Sequence, residues 1–291
     1  PEEIRRRFGV TVLGAIFQWS SRDAADTELI ANKAPSSGFA ESFRQVRANF
    51  QFATVNNPGA VYLMTSPGAS EGKSTVLSNL AVMMAQTGKR VVIVDGDLRR
   101  PSVHRLFPTV QRDPGLSNFL VAEEEQPESV IQETGIEGVS VVCSGVIPPN
   151  PSEILGAPKM SVLFAYLREN YDIVLVDSPP VLMVSDSMVL TNQVDGVMVL
   201  VDGSGTRAGS LGASLDTLRS TQAEVVGVIL NKLRRARFGY SYAYQHYYYN
   251  YYYYYGTKDS QNKPHNGTGR FPRLSVGWVK SIFSKSRGPS S

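Results

Sequence analysis

The chain has 291 residues, 42% of them hydrophobic, and a formal net charge of +3. That length holds one large domain or two small ones with a sizeable core, and the charge is too mild to argue for nucleic acid as a partner. The single cysteine, Cys143, excludes an internal disulfide framework and suits a reducing compartment.

No apolar run approaches the ~18 residues of a spanning helix, and no signal peptide is visible. The chain opens on Pro1 rather than Met, so it reads as a fragment with room for a membrane span upstream. Pro1 to Arg7 is polar and basic, a short helix or linker, and Thr11 to Ile16 reads as a short strand. Gln18 to Ser37 has no period and reads as a loop. Ser36 or Ser37 can cap the next helix, which carries Phe39, Phe43, Val46 and Phe50 along one face. The same helix carries Glu41, Arg44 and Arg47, spaced by three and so near one stripe. The stripe reads either as a solvated face with a local ion pair or as a contact surface for a neighbouring subunit.

After the turn Asn56-Asn57-Pro58-Gly59 comes an apolar strand, Ala60 to Met64. Next is Ser66-Pro67-Gly68-Ala69-Ser70-Glu71-Gly72-Lys73-Ser74-Thr75, and then a helical run, Val76 to Gln86, with Gly88 as its C-cap. Strand, Gly-rich turn, Gly-Lys-Ser and helix is the layout of a phosphate-binding loop. Its backbone N–H groups point at phosphates, Lys73 adds a cation, and the Ser74 hydroxyl suits Mg²⁺. The strict pattern wants Gly at position 67, where Pro stands.

Arg90 to Val94 is a continuous apolar strand, as expected where both sheet faces are covered, and it ends in Asp95-Gly96-Asp97-Leu98-Arg99-Arg100-Pro101. Residues 102 to 137 read as loop and short helix, with Asp113 to Ser117 a turn into a helix start, and Val139 to Cys143 as another strand. Pro148-Pro149-Asn150-Pro151 is extended or a turn. Helical stretches follow at Glu153 to Leu155 and Lys159 to Glu169. Tyr171 to Val176 is a strand ending in Asp177-Ser178-Pro179-Pro180, with Asp177 where the second nucleotide motif sets its Mg²⁺ acid. Asp195 to Val201 and Val225 to Asn231 are further buried strands, with a helix from Ala208 to Ser220 between them. The alternation from residue 60 to 231 predicts an α/β fold: a doubly wound, mostly parallel sheet of the P-loop NTPase type.

Asp95, Asp97 and Asp177 end parallel strands at the edge where such sheets bind ligands. Taken singly, each is a turn or cap residue; with Lys73 and Ser74 they form a Mg-nucleotide site. Phosphoryl transfer also needs an acceptor for the nucleophile's proton, and Asp95 or Asp97 can serve.

After Lys232 the character changes. Eleven of the 14 tyrosines fall in one tract: Tyr240, Tyr242, Tyr244, Tyr247, Tyr248, Tyr249, Tyr251, Tyr252, Tyr253, Tyr254 and Tyr255. The tract reads as a phosphoacceptor tail, an aromatic platform, an aggregation-prone tract or a passive tail. It contains no Lys or Arg, which counts against nucleic acid. Residues 256 to 270 are polar with Gly and Pro and read as disordered. Leu274, Trp278, Val279, Ile282 and Phe283 lie among Lys280, Lys285 and Arg287, either a basic amphipathic segment or a loose tail.

Residues 1 to 255 resemble the bacterial tyrosine kinases, the cytoplasmic modules attached to polysaccharide co-polymerases. The likeness is carried by the phosphate loop with its missing first Gly, by Val-Val-Ile-Val-Asp95-Gly-Asp97-Leu-Arg-Arg-Pro and by Ile-Val-Leu-Val-Asp177-Ser-Pro-Pro. Glu41-x-x-Arg44-x-x-Arg47, Asp113-Pro-Gly-Leu-Ser, Pro-Asn-Pro-Ser-Glu153 and the Tyr tract also fit, and Pro1 to Ile16 resembles the stretch after the second transmembrane helix.

The resemblance implies ATP bound by Gly68 to Thr75 with Lys73, and Mg²⁺ served by Ser74, Asp97 and Asp177. It implies Asp95 as base for the incoming Tyr hydroxyl and Asn231 near the adenine. It turns Glu41, Arg44 and Arg47 into an oligomerisation motif, with subunit rings in which each tail enters a neighbour's site. The expected partners are other copies of the chain, a transmembrane co-polymerase region on the same or a separate chain, and a cognate tyrosine phosphatase. The expected location is the cytoplasmic face of the bacterial plasma membrane. The expected division is a juxtamembrane segment over 1–37, a kinase domain over 38–233, a Tyr-rich tail over 234–256 and a basic tail over 257–291. A rival reading is a partition or septum-site ATPase acting as a nucleotide-switched dimer. That group usually carries a further Lys in the loop, where Gly68 stands here. A third reading is a scaffold whose nucleotide site only supports folding.

Overall fold

The computed structural model describes residues 2–18, 29, 38–54 and 59–233. The Ser36 or Ser37 cap, the Tyr tract and everything beyond residue 233 lie outside the described residues. Helix α1 (Glu2–Phe8) leads into β1 (Val12–Phe17), and α2 (Gly38–Ala53) precedes β2 (Ala60–Thr65). Then come α3 (Lys73–Ala85), β3 (Val91–Asp95), a 3₁₀ turn (Val103–Leu106), α4 (Leu116–Val121), a second 3₁₀ turn (Pro127–Val130), β4 (Ile131–Glu133) and β5 (Val139–Val142). The chain continues through α5 (Pro151–Leu155), α6 (Pro158–Asn170), β6 (Ile173–Asp177), α7 (Asp186–Thr191), β7 (Gly196–Asp202), α8 (Ala208–Ser220) and β8 (Val225–Leu233).

These strands form one eight-stranded sheet in the order β1-β8-β7-β2-β6-β3-β5-β4. Every pairing is parallel except β4 with β5. The unbroken apolar runs of β2, β3 and β5 follow from burial on both faces: each of their residues is buried. The fold is therefore the doubly wound α/β sheet expected from the alternation. Two features differ from the sequence reading. The stretch 102–137 contains strand β4, only three residues long with none of them buried, so its pattern carries no strand signal. The first strand, β1, joins the main sheet as its edge, paired with β8 far along the chain.

The core lies between the sheet and the helices α2 and α3. Phe43, Val46 and Phe50 of α2 pack with Leu13 of β1, Tyr62 of β2 and Met83 of α3. The Phe50 and Tyr62 rings meet edge-on at 4.8 Å. Phe43 and Phe50 are almost wholly buried, and each such side chain contributes about 1.5–3 kcal/mol relative to leaving it in water. Helix α3 is buried from Val76 to Ala85, so the helix behind the phosphate loop is fixed on nearly all sides. Among the described residues no helix is long and apolar enough to cross a membrane.

The strand order decides where the chemistry sits. The centre of the sheet brings the ends of β2, β6 and β3 side by side, with Met64 opposite Asp177 and Asp177 opposite Asp95. The loop after β2 and the two acids therefore share one edge, at the crevice such sheets offer to ligands.

Candidate active site

Beyond β2, Ser66 Oγ donates to the Gly68 carbonyl at 2.6 Å, closing the start of the loop. Ser70 and Gly72 take left-handed backbone conformations, φ 60° and 99°, that turn the chain into α3. Glycine suits position 72 because of that φ, and a Cβ there would also press on the Asn231 amide nitrogen at 2.6 Å. The Lys73 ammonium lies 3.3 Å from Ser66 Oγ, and Lys73 is buried.

Ser74 Oγ donates to Asp177 Oδ2 and accepts from Ser102 Oγ at 2.7 Å. Asp95 Oδ2 accepts the N–H groups of Ser102 and Val103, each at 3.2 Å. Asp97 Oδ1 accepts the Arg100 N–H at 2.9 Å. The segment from 95 to 103 is thus folded back on its own carboxylates.

Asp95 and Asp177 are buried, and each keeps one carboxylate oxygen, Oδ1, that has no hydrogen-bond partner among the described residues. Burial and the neighbouring Asp177 push the Asp95 carboxyl well above the usual range, against the pull of the Val103 and Ser102 N–H groups. Burial likewise raises Asp177, to about 6, although Lys73 and the Ser74 hydroxyl pull it down. Two buried, partly satisfied acids on adjacent strands repel each other, and Lys73 offsets only part of that cost, which is the condition a divalent cation relieves. Among the described residues no three His, Cys, Asp or Glu side chains enclose a metal by themselves. An open set of few oxygen ligands suits Mg²⁺, which keeps several waters and shares substrate phosphates.

The remaining sequence-predicted residues fall in two places. Gly68, Ala69, Glu71 and Thr75 belong to the loop and its helix start, and the Asn231 side chain donates to the Glu71 carbonyl at 2.8 Å. Glu41, Arg44 and Arg47 lie on α2. Arg44 pairs with Glu41 at 2.5 Å, whereas Arg47, half-buried, donates to the Met83 carbonyl of α3 at 2.8 Å.

Sequence reasoning missed Asp186 and Ser102. Asp186 is fully buried and receives Arg99 Nε at 2.8 Å, Arg99 Nη2 at 3.0 Å and Ser152 Oγ at 2.5 Å. Burial alone would raise its pKa, but the Arg99 and Ser152 hydrogen bonds outweigh that and hold it low. Asp186 thereby fastens the segment after Asp97 to α5 and α7. Its only signal in the sequence is a Ser-Asp pair before a short helix, which reads as a cap.

A family described as AAA domain matches residues 68–224. The chain is 32% identical over 205 residues to the putative tyrosine-protein kinase CapB of Staphylococcus aureus, covering 70% of this chain and 89% of that one. It is 34% identical over 215 residues to the tyrosine-protein kinase YwqD of Bacillus subtilis, covering 73% of this chain and 90% of that one. Among solved structures it resembles the kinase domain of the Escherichia coli tyrosine kinase ETK, with a TM-score of 0.74 and 30% identity over 83% of this chain and 98% of that domain.

Proposed function

The chain belongs to the bacterial tyrosine-kinase family and is a tyrosine-protein kinase with a nucleotide-binding P-loop domain, and we propose that it transfers the γ-phosphoryl group of ATP to tyrosines of its own C-terminal cluster. The observation that carries this reading is the pair of buried carboxylates, Asp95 and Asp177, side by side next to Lys73 and Ser74, each with one oxygen that has no partner among the described residues.

In this reading the loop N–H groups and the Lys73 ammonium hold the phosphates. Ser74, Asp97 and Asp177 would hold Mg²⁺, directly or through water, and the bound ion would neutralise phosphate charge. Asp95 accepts the proton of the incoming Tyr hydroxyl. A phenol has a pKa near 10 and needs a base at the point of attack; the apolar surroundings that raise Asp95 make it a better one. The Tyr oxygen bonds to the γ-phosphorus, the bond from that phosphorus to the β–γ bridging oxygen breaks, ADP leaves, and the proton rests on Asp95. Asn231 would lie near the adenine.

The acceptors are the 11 tyrosines from Tyr240 to Tyr255, phosphorylated in trans within a ring built on Glu41, Arg44 and Arg47. Each phosphate adds about −1.5 to −2 charge at pH 7, so a heavily modified tail repels its neighbours and loosens the ring. Removal of those phosphates by a tyrosine phosphatase would complete the cycle. We assign the work of that cycle to control of capsule or exopolysaccharide polymerisation and export, at the cytoplasmic face of the plasma membrane beside a transmembrane co-polymerase region.

Incubation of the purified protein with Mg-ATP should label the Tyr cluster, and Lys73→Met should abolish the label. Phosphate appearing only on Ser or Thr would sink this reading.

A further inference from the structure

The phosphate loop contains a carboxylate that phosphate binding does not explain. Glu71 is 5% exposed, sits in the middle of a loop that must hold several negative phosphates, and by charge alone opposes them. Its hydrogen bonds give another account. Glu71 Oε1 accepts the Gly68 N–H at 2.8 Å. Glu71 Oε2 accepts the Asp202 N–H, at the end of β7, also at 2.8 Å. One carboxylate therefore ties the start of the loop to a neighbouring strand.

A second connection runs to the end of β8. The Lys232 ammonium donates to the Ser70 carbonyl at 2.5 Å and lies 3.2 Å from Asp202 Oδ2. Asp202 Oδ1 in turn accepts the Ser204 and Gly205 N–H groups at 2.9 and 3.0 Å. Ser70 and Lys232 are two of the three non-glycine residues with positive φ among the described residues, at 60° and 56°. Such conformations cost free energy and persist where the surroundings over-determine them. Here a single hydrogen bond joins both strained residues, and Asp202 is common to both connections.

We propose that Glu71 and Lys232 are positioning residues of the kinase reaction: with Asp202 they clamp the phosphate loop to the ends of β7 and β8 in the shape that receives the nucleotide's phosphates. The clamp rests on the reading of this loop as the ATP site. It uses up the Gly68 N–H and the Ser70 carbonyl, and so leaves the N–H groups nearer Lys73 to face the ligand.

The sign of one substitution separates the clamp from simple electrostatics. Glu71→Gln removes a negative charge beside the phosphates, so charge alone predicts tighter ATP binding. The clamp predicts weaker binding, because a Gln side chain offers one acceptor oxygen where two N–H groups need one each.

The test measures binding of a fluorescent ribose-modified ATP with Mg²⁺, the KM for ATP and kcat of Tyr labelling, and thermal melting. It compares the full wild-type chain with Glu71→Gln, Lys232→Met and Lys232→Arg. Glu71→Gln should weaken binding about tenfold, as loss of one charge-assisted hydrogen bond does, and should raise KM more than it lowers kcat. Lys232→Met should weaken binding several-fold and Lys232→Arg should recover most of it. A Glu71→Gln protein that melts cooperatively and binds ATP as tightly as wild type or more tightly would overturn the clamp. If Glu71→Gln does not fold, Lys232→Met decides, because Lys232 is partly exposed: unchanged ATP affinity there overturns the clamp. A wild type that binds no ATP analogue would overturn the ATP-site reading and the clamp with it.

Discussion

At the scale of single residues the site is held in a frustrated state. Asp95 and Asp177 are buried together, and both have raised pKa values for the same first reason, loss of water around a charge. The sign of the consequence follows from linkage. Between 3.8, the ordinary carboxylate value, and about 6, the folded protein holds a proton on Asp177 that the unfolded chain has released. Stability from this group therefore falls as pH rises through that window. Asp95, raised by burial and by Asp177, adds a loss of the same sign. In EDTA, and as far as this pair is concerned, the protein should be more stable near pH 5 than at pH 7.5. Asp177→Asn should raise the melting temperature at pH 7.5 in EDTA by about 2–8 °C, from a gain on the order of 1–2 kcal/mol. The same change should lower tyrosine labelling by about a hundredfold or more, because a charged oxygen ligand is lost. Melting curves and labelling rates check both. A variant that melts below wild type at pH 7.5 would show that the two acids are not strained against each other.

At the scale of elements, helix α2 has a duty that its charge stripe does not reveal. The last carbonyls of α3 need partners beyond the helix. Val82, Met84 and Ala85 are served by the backbone N–H groups of Gln86, Thr87 and Gly88, and Met83 by the Arg47 guanidinium. Arg47 is thus part of the support behind the phosphate-loop helix, whereas Arg44 pairs with exposed Glu41. Arg47→Ala should cost about 1–3 kcal/mol of stability by stripping a buried carbonyl of its donor, and should also weaken assembly of the proposed ring. Arg44→Ala should weaken assembly while shifting stability by less than about 1 kcal/mol. Thermal melts and light scattering separate the two, and an Arg47→Ala protein with unchanged melting would refute the helix-end role. The contrast marks what was legible in the sequence. The parallel strands were, because burial on both faces writes an unbroken apolar run, and so was the phosphate loop, whose parts lie within ten residues of one another. Strand β4 was not, being three residues long with none buried. Nor were the ties between Glu71 and Asp202, Arg99 and Asp186, or Arg47 and Met83, which join positions 131, 87 and 36 apart. A polar pair at such separation leaves no local period; only the sheet order brings its members together.

At the scale of the whole molecule the question is whose tyrosines reach which site. The strands β2, β3, β6 and β8 run parallel, so Leu233 leaves the sheet at the edge that carries Lys73, Asp95 and Asp177. The seven residues from Leu233 to Tyr240 span at most about 23–25 Å when extended. Transfer within one chain and transfer between subunits are therefore separated by exchange. Two full-length chains do this. One carries Lys73→Met and keeps all its tyrosines. The other keeps Lys73 and has the 11 clustered tyrosines replaced by Phe, a change that should leave its ATP affinity intact because every residue assigned to ATP and Mg²⁺ in this reading lies outside the tract. Neither chain alone should label the cluster. Mixed with Mg-ATP, they should yield phosphotyrosine on the Lys73→Met chain, at an initial rate that rises in proportion to the donor chain. If the mixture stays unlabelled while wild type labels itself at the same rate per molecule at every dilution, phosphorylation is within one chain, and the ring is not needed to bring tail and site together.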